Sequence, residues 1–113
     1  MDTLQSRVLT PAQATEHIRG KTGTHLHLHW TRHVKEQLLT RDLITGDVLH
    51  VLKYGFVYEE GEPATRSGLF KYKVECVTPN SGRRTIVVVV IPSQANQLKI
   101  VTVMWKDEPL YRG

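Results

Sequence analysis

An uninterrupted apolar run over residues 86–91 is the feature that most limits how this chain can fold. The run reads Ile-Val-Val-Val-Val-Ile, so an extended segment here carries no polar side chain on either face. A strand that is apolar on both faces is typical of the interior of a sheet. The sequence therefore predicts a central strand over residues 84–91, with helices covering one of its faces.

Segments in which apolar and polar residues alternate lie on both sides of this run. Residues 69–77 place Phe70, Tyr72, Val74 and Cys76 on one face and Lys71, Lys73 and Glu75 on the other. Such alternation indicates a strand with one buried face. Residues 56–60 and 98–105 predict two further strands, and residues 79–82 predict a turn.

An earlier alternating segment, residues 24–30, predicts one more strand. Its apolar residues are Leu26, Leu28 and Trp30, and its polar face carries His25, His27 and His29. Alternate histidines on a strand project together and can bind zinc. No Cys, Asp or Glu is close by in sequence to complete a ligand set, so we expect a polar strand face and no metal or other cofactor. A zinc-dependent hydrolase is the least favoured hypothesis.

Three helices are predicted from capping residues and apolar spacing. Thr10 and Gln13 form a capping box at the start of the first helix. Thr31 and Thr45 are expected to cap the second and third helices, and Gly55 to end the third. The inward-facing residues of these two helices are expected to be Val34, Leu38, Leu39, Val48, Leu49 and Leu52. The two helices are expected to form a tight pair.

The order of these elements predicts an α+β fold. One helix, one strand, two helices and four strands close as an antiparallel four- to five-stranded sheet, with two or three short helices packed on one face. A chain of 113 residues is long enough for one domain with its own core. We expect residues 1–23 to form an N-terminal helical arm, residues 24–107 the α+β domain and residues 108–113 a C-terminal tail.

Net charge and cysteine content indicate the partners and compartment of the protein. The formal net charge of +4 favours acidic partners such as RNA, DNA or an acidic protein. Cys76 is the single cysteine, which excludes an internal disulfide and predicts a reducing compartment. No signal peptide is visible, and the run at residues 86–91 is too short to span a bilayer. We therefore expect a cytoplasmic protein with no membrane partner.

His33 is the strongest candidate for a catalytic residue. Imidazole titrates near neutral pH without help from its surroundings, which suits proton transfer. His33 is expected in the first turn of a helix that also carries Arg32, Lys35 and Arg41, cations that can hold a phosphate. A surface or helix-capping histidine with no catalytic role is the alternative.

A second set of candidates comes from the strands that follow. Arg83 and Arg84 open the predicted central strand, and bidentate arginines match phosphate geometry and stabilise charge that develops on phosphorus. Lys73 and Glu75 are candidates for a second proton-transfer group. The candidate RNA contacts are Arg32, Lys35, Lys71 and Trp105, the last because bases stack on aromatic rings. A solvated cationic sheet face is the alternative.

A set of short motifs extends over about residues 24–107. Its positions are Thr31, Arg32, His33, Val34, Leu38, Arg41, Leu43, Asp47, Val48, Leu52, Gly55, the run from Arg83 to Val90 and the run from Ile100 to Val103. Together they resemble the domain of unknown function 4258 family. That family has a strand, a helix beginning Thr-x-His, a turn, a second helix ending in Gly, and a meander.

The resemblance implies a small α+β domain with the ribonuclease-toxin fold of RelE-like and barnase-like proteins. It also implies toxin-type endoribonuclease activity and an acidic antitoxin protein as a partner. His33 and Arg41 match helix positions of the family, while Thr102 and either Arg83 or Arg84 match its strand positions. Asp42 stands where the family has a turn glycine.

The leading hypothesis is a metal-independent endoribonuclease. The ribose 2′-hydroxyl would attack the adjacent phosphate, with His33 as general acid or base. Arg41, Arg83 and Arg84 would stabilise the transition state. The alternative is a non-catalytic nucleic-acid-binding or protein-binding module that uses the same basic face. Under the leading hypothesis RNA is the substrate, and no small-molecule substrate is expected.

Overall fold

The computed structural model describes residues 8–23, 26–93 and 97–108. Thr24 and His25, at the start of the predicted first strand, lie outside these ranges, as do residues 109–113 of the predicted tail. The helices within the described residues are α1 (Pro11–Lys21), α2 (Arg32–Thr40) and α3 (Thr45–Tyr54).

Six strands form one sheet within these ranges. They are β1 (His27–Trp30), β2 (Phe56–Val57), β3 (Glu62–Pro63), β4 (Phe70–Cys76), β5 (Ile86–Pro92) and β6 (Gln97–Trp105). The order is β1-β6-β5-β4-β2, and β3 also pairs with β4. All of these pairs are antiparallel except that of β1 with β6, which is parallel. The predicted α+β class is confirmed, and the sheet is mostly antiparallel as expected.

The apolar run occupies the centre of the sheet as β5, between β4 and β6. Ile86, Val88 and Val90 lie on the face that joins the main core, and the alternating residues Val87 and Val89 are buried on the other face. The central strand is therefore confirmed. It begins at Ile86 rather than at residue 84, so the two preceding arginines belong to the connection after the 79–82 turn.

All three helices cover the same face of the sheet. The shared core contains Ala14, Ile18, Val34, Leu38, Val48, Val51, Leu52, Val74, Val88, Val90, Ile100 and Val103. The helix α2 packs on β6, whereas α3 packs on β4 and β5. The predicted tight pair of α2 and α3 is therefore wrong, because each helix satisfies its apolar face against different strands of the sheet.

Two predicted core positions are wrong. Leu39 is 81% exposed and Leu49 is 44% exposed. Successive residues are about 100° apart around a helix, so a stripe that places Leu38 against β6 turns its neighbour towards solvent. On α3, Val51 is fully buried alongside Val48 and Leu52.

Helix caps hold the ends of the elements that flank the sheet. The Thr10–Gln13 capping box of α1 is confirmed, and the Thr31 hydroxyl accepts a hydrogen bond from the Val34 N–H at 3.2 Å, as predicted for α2. Thr45 does not cap α3, since the cap residue is Ile44. The carboxylate of Asp47 takes over the capping role by accepting a hydrogen bond from the Ile44 N–H at 3.0 Å.

The buried Asp47 carboxylate also ties α3 to the turn between β4 and β5. It accepts hydrogen bonds from the Thr78 hydroxyl at 2.6 Å and from the Asn80 side-chain amide at 2.8 Å. Burial by itself raises the pKa of Asp47, but these bonds, the Ile44 N–H and the nearby His50 together hold the pKa below its usual value. The carboxylate is therefore ionised and fully paired inside the fold.

The helix α1 is fixed to the domain by polar contacts from its middle and from its C-terminal end. The Arg19 guanidinium donates to the carbonyls of Tyr54 and Gly55 at the end of α3. The Thr15 hydroxyl accepts from the Val57 N–H at 2.9 Å, which satisfies a donor of the short strand β2. The predicted strand over residues 56–60 is accordingly only two residues long.

Candidate functional site

A cleft of about 880 Å³ opens where β1, the start of α2, the connection between β3 and β4, and the start of β6 meet. This volume lies within the range of roughly 300–1,000 Å³ that is typical of ligand sites. The side chains that carry chemistry around it are His27, His29, Thr31, His33, Thr65, Arg66, Lys71 and Lys99. We call this the histidine cleft.

The strand β1 places two histidines on the wall of the histidine cleft. Leu28 and Trp30 pack against the core, so the alternating residues His27 and His29 are exposed on the opposite face of the strand. The parallel register places His29 beside Lys99 of β6. Side chains of paired residues in adjacent strands project to the same face, so His29 and Lys99 leave the sheet side by side.

The third imidazole of the cleft comes from α2. The capping bond of Thr31 fixes the first turn of the helix directly after β1, and His33 lies exposed in that turn. Its place in the first helical turn is confirmed. His33 and His29 are four residues apart, and the segment between them consists of the end of β1, the cap and the helix start, with no free loop.

The charge of the histidine cleft is positive. Lys71, Lys99 and Arg66 line it, and no Asp or Glu is among its described lining residues. None of the three imidazoles that line the cleft accepts a hydrogen bond from, or donates one to, another described residue. Such an arrangement suits an anionic ligand that also takes up or releases protons.

Three predicted site residues gather instead at the far end of α2. The Arg41 guanidinium makes two hydrogen bonds to Glu108, at 2.9 and 2.7 Å, and the Arg84 guanidinium makes two to Asp107, at 3.1 and 2.7 Å. The Arg84 guanidinium also lies 4.0 Å from the ring centroid of Trp105. We call this the arginine clasp.

The arginine clasp is separated from the histidine cleft by the length of a helix. Arg41 follows the last residue of α2 and His33 is in its first turn, which corresponds to about 12 Å along the axis. Hydrogen bonds from Arg41 hold the pKa of the Glu108 carboxyl below its usual value. The structure therefore does not bring Arg41 and Arg84 to the same phosphate as His33, and it satisfies both guanidinium groups with carboxylates of the chain itself.

The other predicted site residues are dispersed. Lys73 pairs with Glu59 at 3.4 Å, and neither residue lines the histidine cleft. Glu75, predicted to point outward, is only 8% exposed and pairs with Lys106 at 2.7 Å. Arg32, Lys35 and Arg83 are exposed on the surface, and Lys71 alone of the predicted RNA contacts lines the cleft.

Sequence reasoning missed Lys99 and Arg66 and did not join the strand histidines to His33. The proximity of Lys99 to His29 depends on the parallel pairing of β1 with β6, which brings residue 29 beside residue 99. Alternation predicts that His27 and His29 share a face but does not predict which strand lies next to them.

No group of three His, Cys, Asp or Glu side chains within residues 8–23, 26–93 and 97–108 is arranged to hold a metal ion. His25, the first of the three strand histidines, lies outside these residues. In the same part of the chain, no helix has the length and apolar character needed to cross a bilayer.

The fold and the cleft define a small α+β domain with a cationic, histidine-lined concavity on its sheet. Residues 30–105 match the family described as Domain of unknown function (DUF4258), which covers more than half of the chain. The chain belongs to this family. No curated protein and no solved structure matches it.

Proposed function

We propose that the protein is a metal-independent endoribonuclease whose reaction takes place in the histidine cleft. The observation that carries the proposal is a cleft of nucleotide-binding size lined by three imidazoles and three cations, without a carboxylate among its described lining residues. RNA fits such a lining, because its phosphodiester carries the negative charge that the cations attract and its ribose 2′-hydroxyl carries a proton that must be transferred.

The chemistry begins with attack of the ribose 2′-hydroxyl on the adjacent phosphorus. His33 and a second cleft group exchange protons with the 2′-oxygen and the 5′-oxygen, while the O2′–P bond forms and the P–O5′ bond breaks. The products are a 2′,3′-cyclic phosphate and a free 5′-hydroxyl. Lys71 and Lys99 stabilise the charge that develops on the non-bridging oxygens.

The expectation that this ribonuclease is a toxin rests on the resemblance of its motifs to a family grouped with toxin ribonucleases. A likeness to RelE-like and barnase-like ribonucleases, and with it an acidic antitoxin as partner and a cytoplasmic location, stays a prediction. Of the predicted phosphate-stabilising residues, Arg41 and Arg84 are engaged in the arginine clasp, so we assign that role to the cleft cations instead.

A non-catalytic RNA-binding module is the second candidate. It is favoured by the absence of an orienting partner for the cleft imidazoles among the described residues, since catalytic imidazoles are commonly held by a second hydrogen bond. The same cations would then hold the phosphates of a strand without turnover.

The test is cleavage of a mixed single-stranded RNA by the purified protein in EDTA, compared with a DNA of the same sequence. Wild-type protein should cleave the RNA and leave the DNA intact, because only RNA carries the attacking hydroxyl. His33→Ala should lower the rate by about 10²–10⁴-fold. His50→Ala, a histidine stacked on Tyr54 of α3, is the matched control and should cleave like wild type.

Equal rates for His33→Ala and wild type would refute the assignment of the reaction to the cleft. RNA that binds without being cleaved by the wild type would refute the ribonuclease and support the binding module.

A further inference from the structure

The reaction in the histidine cleft needs a second proton-transfer group. Cleavage by the 2′-hydroxyl requires one group to accept the proton of the attacking oxygen and another to protonate the leaving 5′-oxygen. The two groups predicted from the sequence are both engaged elsewhere, since Lys73 pairs with Glu59 and Glu75 pairs with Lys106. Neither of the two lines the cleft.

His29 has the position that this role requires. It lies on the cleft wall formed by β1, whereas His33 projects from the first turn of α2 at the end of the same strand. The capping bond between Thr31 and the Val34 N–H fixes the junction between the two elements, so the backbone positions from which the two histidines project are fixed relative to each other. Two groups on neighbouring elements can flank one phosphorus.

His27 is a poorer candidate than His29. It lies two residues earlier on β1, which places it about 6.7 Å farther from α2 along the strand. Its partner across the parallel pair is Gln97, whereas the partner of His29 is the cationic residue Lys99. A cation next to the reacting phosphate stabilises the same transition state in which His29 would move a proton.

We infer that His29 and His33 form the acid–base pair of the cleft, an inference that rests on the proposed ribonuclease function. One neutral imidazole accepts the 2′-hydroxyl proton as the O2′–P bond forms. The other, as imidazolium, donates its proton to the 5′-oxygen as the P–O5′ bond breaks. Proton and electron counts balance within the pair, and no further reactant is required.

The experiment compares two substrates with different leaving groups. One is a dinucleotide of RNA, whose leaving 5′-oxygen must be protonated. The other is uridine 3′-(4-nitrophenyl phosphate), whose phenolate leaves without a proton. The variants are His29→Ala and His33→Ala, with His50→Ala as a matched histidine control and urea unfolding as a check that each variant is folded.

On the dinucleotide, each cleft variant should lose about 10²–10⁴-fold in kcat/KM. On the nitrophenyl ester, the variant that lacks the proton donor should recover to within about tenfold of wild type, whereas the variant that lacks the base should stay impaired. This recovery is specific to proton donation, because a residue that only binds phosphate is needed equally by both substrates.

Two results would overturn the inference while leaving the ribonuclease in place. One is a His29→Ala variant that cleaves the dinucleotide like wild type when His33→Ala does not. The other is an equal loss by both variants on both substrates, which would make His29 a binding residue. Absence of cleavage by folded wild-type protein would instead refute the ribonuclease, and the acid–base pair with it.

Discussion

The cations of the histidine cleft determine how strongly RNA affinity should depend on salt. Arg66, Lys71 and Lys99 are the cationic residues among the described lining of the cleft. Each phosphate neutralised on a single strand contributes about −0.7 to the slope of log K against log salt concentration, so three contacts give a slope of about −2. Raising NaCl from about 50 to about 200 mM should then weaken binding roughly 18-fold.

The variant Lys99→Ala removes one of these contacts. The slope should fall to about −1.4, and the loss of affinity over the same salt range to roughly sevenfold. Fluorescence anisotropy with a labelled 2′-O-methyl RNA measures this, because the blocked 2′-oxygen prevents cleavage during the titration. Lys53→Ala is the matched control, since Lys53 lies in the last turn of α3 and not in the cleft.

An unchanged slope for Lys99→Ala would refute the assignment of phosphate binding to the cleft. So would a control variant that lowers the slope as much as Lys99→Ala does.

Two further predictions concern stability and are measured by urea unfolding followed through tryptophan fluorescence. Leu38→Ala empties a buried site and should lower the free energy of unfolding by about 2–5 kcal/mol, whereas Leu39→Ala should change it by less than about 0.5 kcal/mol. Similar losses in both variants would contradict the placement of α2 on β6. Asp47→Ala removes the acceptor of three hydrogen bonds and should cost about 3–5 kcal/mol near neutral pH. Burial raises the pKa of Asp47, but the hydrogen bonds from Thr78 and the other donors outweigh burial and lower the pKa in the folded protein. The carboxylate therefore contributes fully to the free energy of unfolding above the usual aspartate pKa of about 3.9, and this contribution is lost as the pH falls below that value. The free energies of unfolding of Asp47→Ala and wild type should accordingly converge on acidification, and a constant difference between them would contradict the prediction.

Features encoded by neighbouring residues were predictable from the sequence. The hydroxyl of Thr31 caps α2 and the valine run forms the central strand, because both depend on contacts or periodicity within a few residues. The left-handed conformation of Asp42, with a φ of 57°, was not predicted, although Asp adopts this conformation more readily than most residues other than Gly.

Features that depend on partners distant in sequence were not predictable. The arginine clasp joins Arg41 to Glu108, and no local pattern indicates that a carboxylate 67 residues away will occupy this guanidinium. Helical spacing predicted both Leu38 and Leu39 to face inward, and only the packing of α2 on β6 shows that Leu38 is buried and Leu39 is not. For the same reason, His33 could be placed on its helix but not in its cleft.

The parallel pairing of β1 with β6 has a consequence for the time at which the histidine cleft is completed. Pairing residue 29 with residue 99 closes a loop that spans most of the domain. Such long-range contacts form late in folding, because the chain loses the entropy of the loop before the contacts contribute any stabilising energy. A chain emerging from the ribosome that stops before β6 has β1 without its neighbour and lacks Lys99 altogether. If the cleft binds RNA as proposed, we expect a growing chain to lack this binding site until β6, which carries Lys99, has been synthesised and paired with β1.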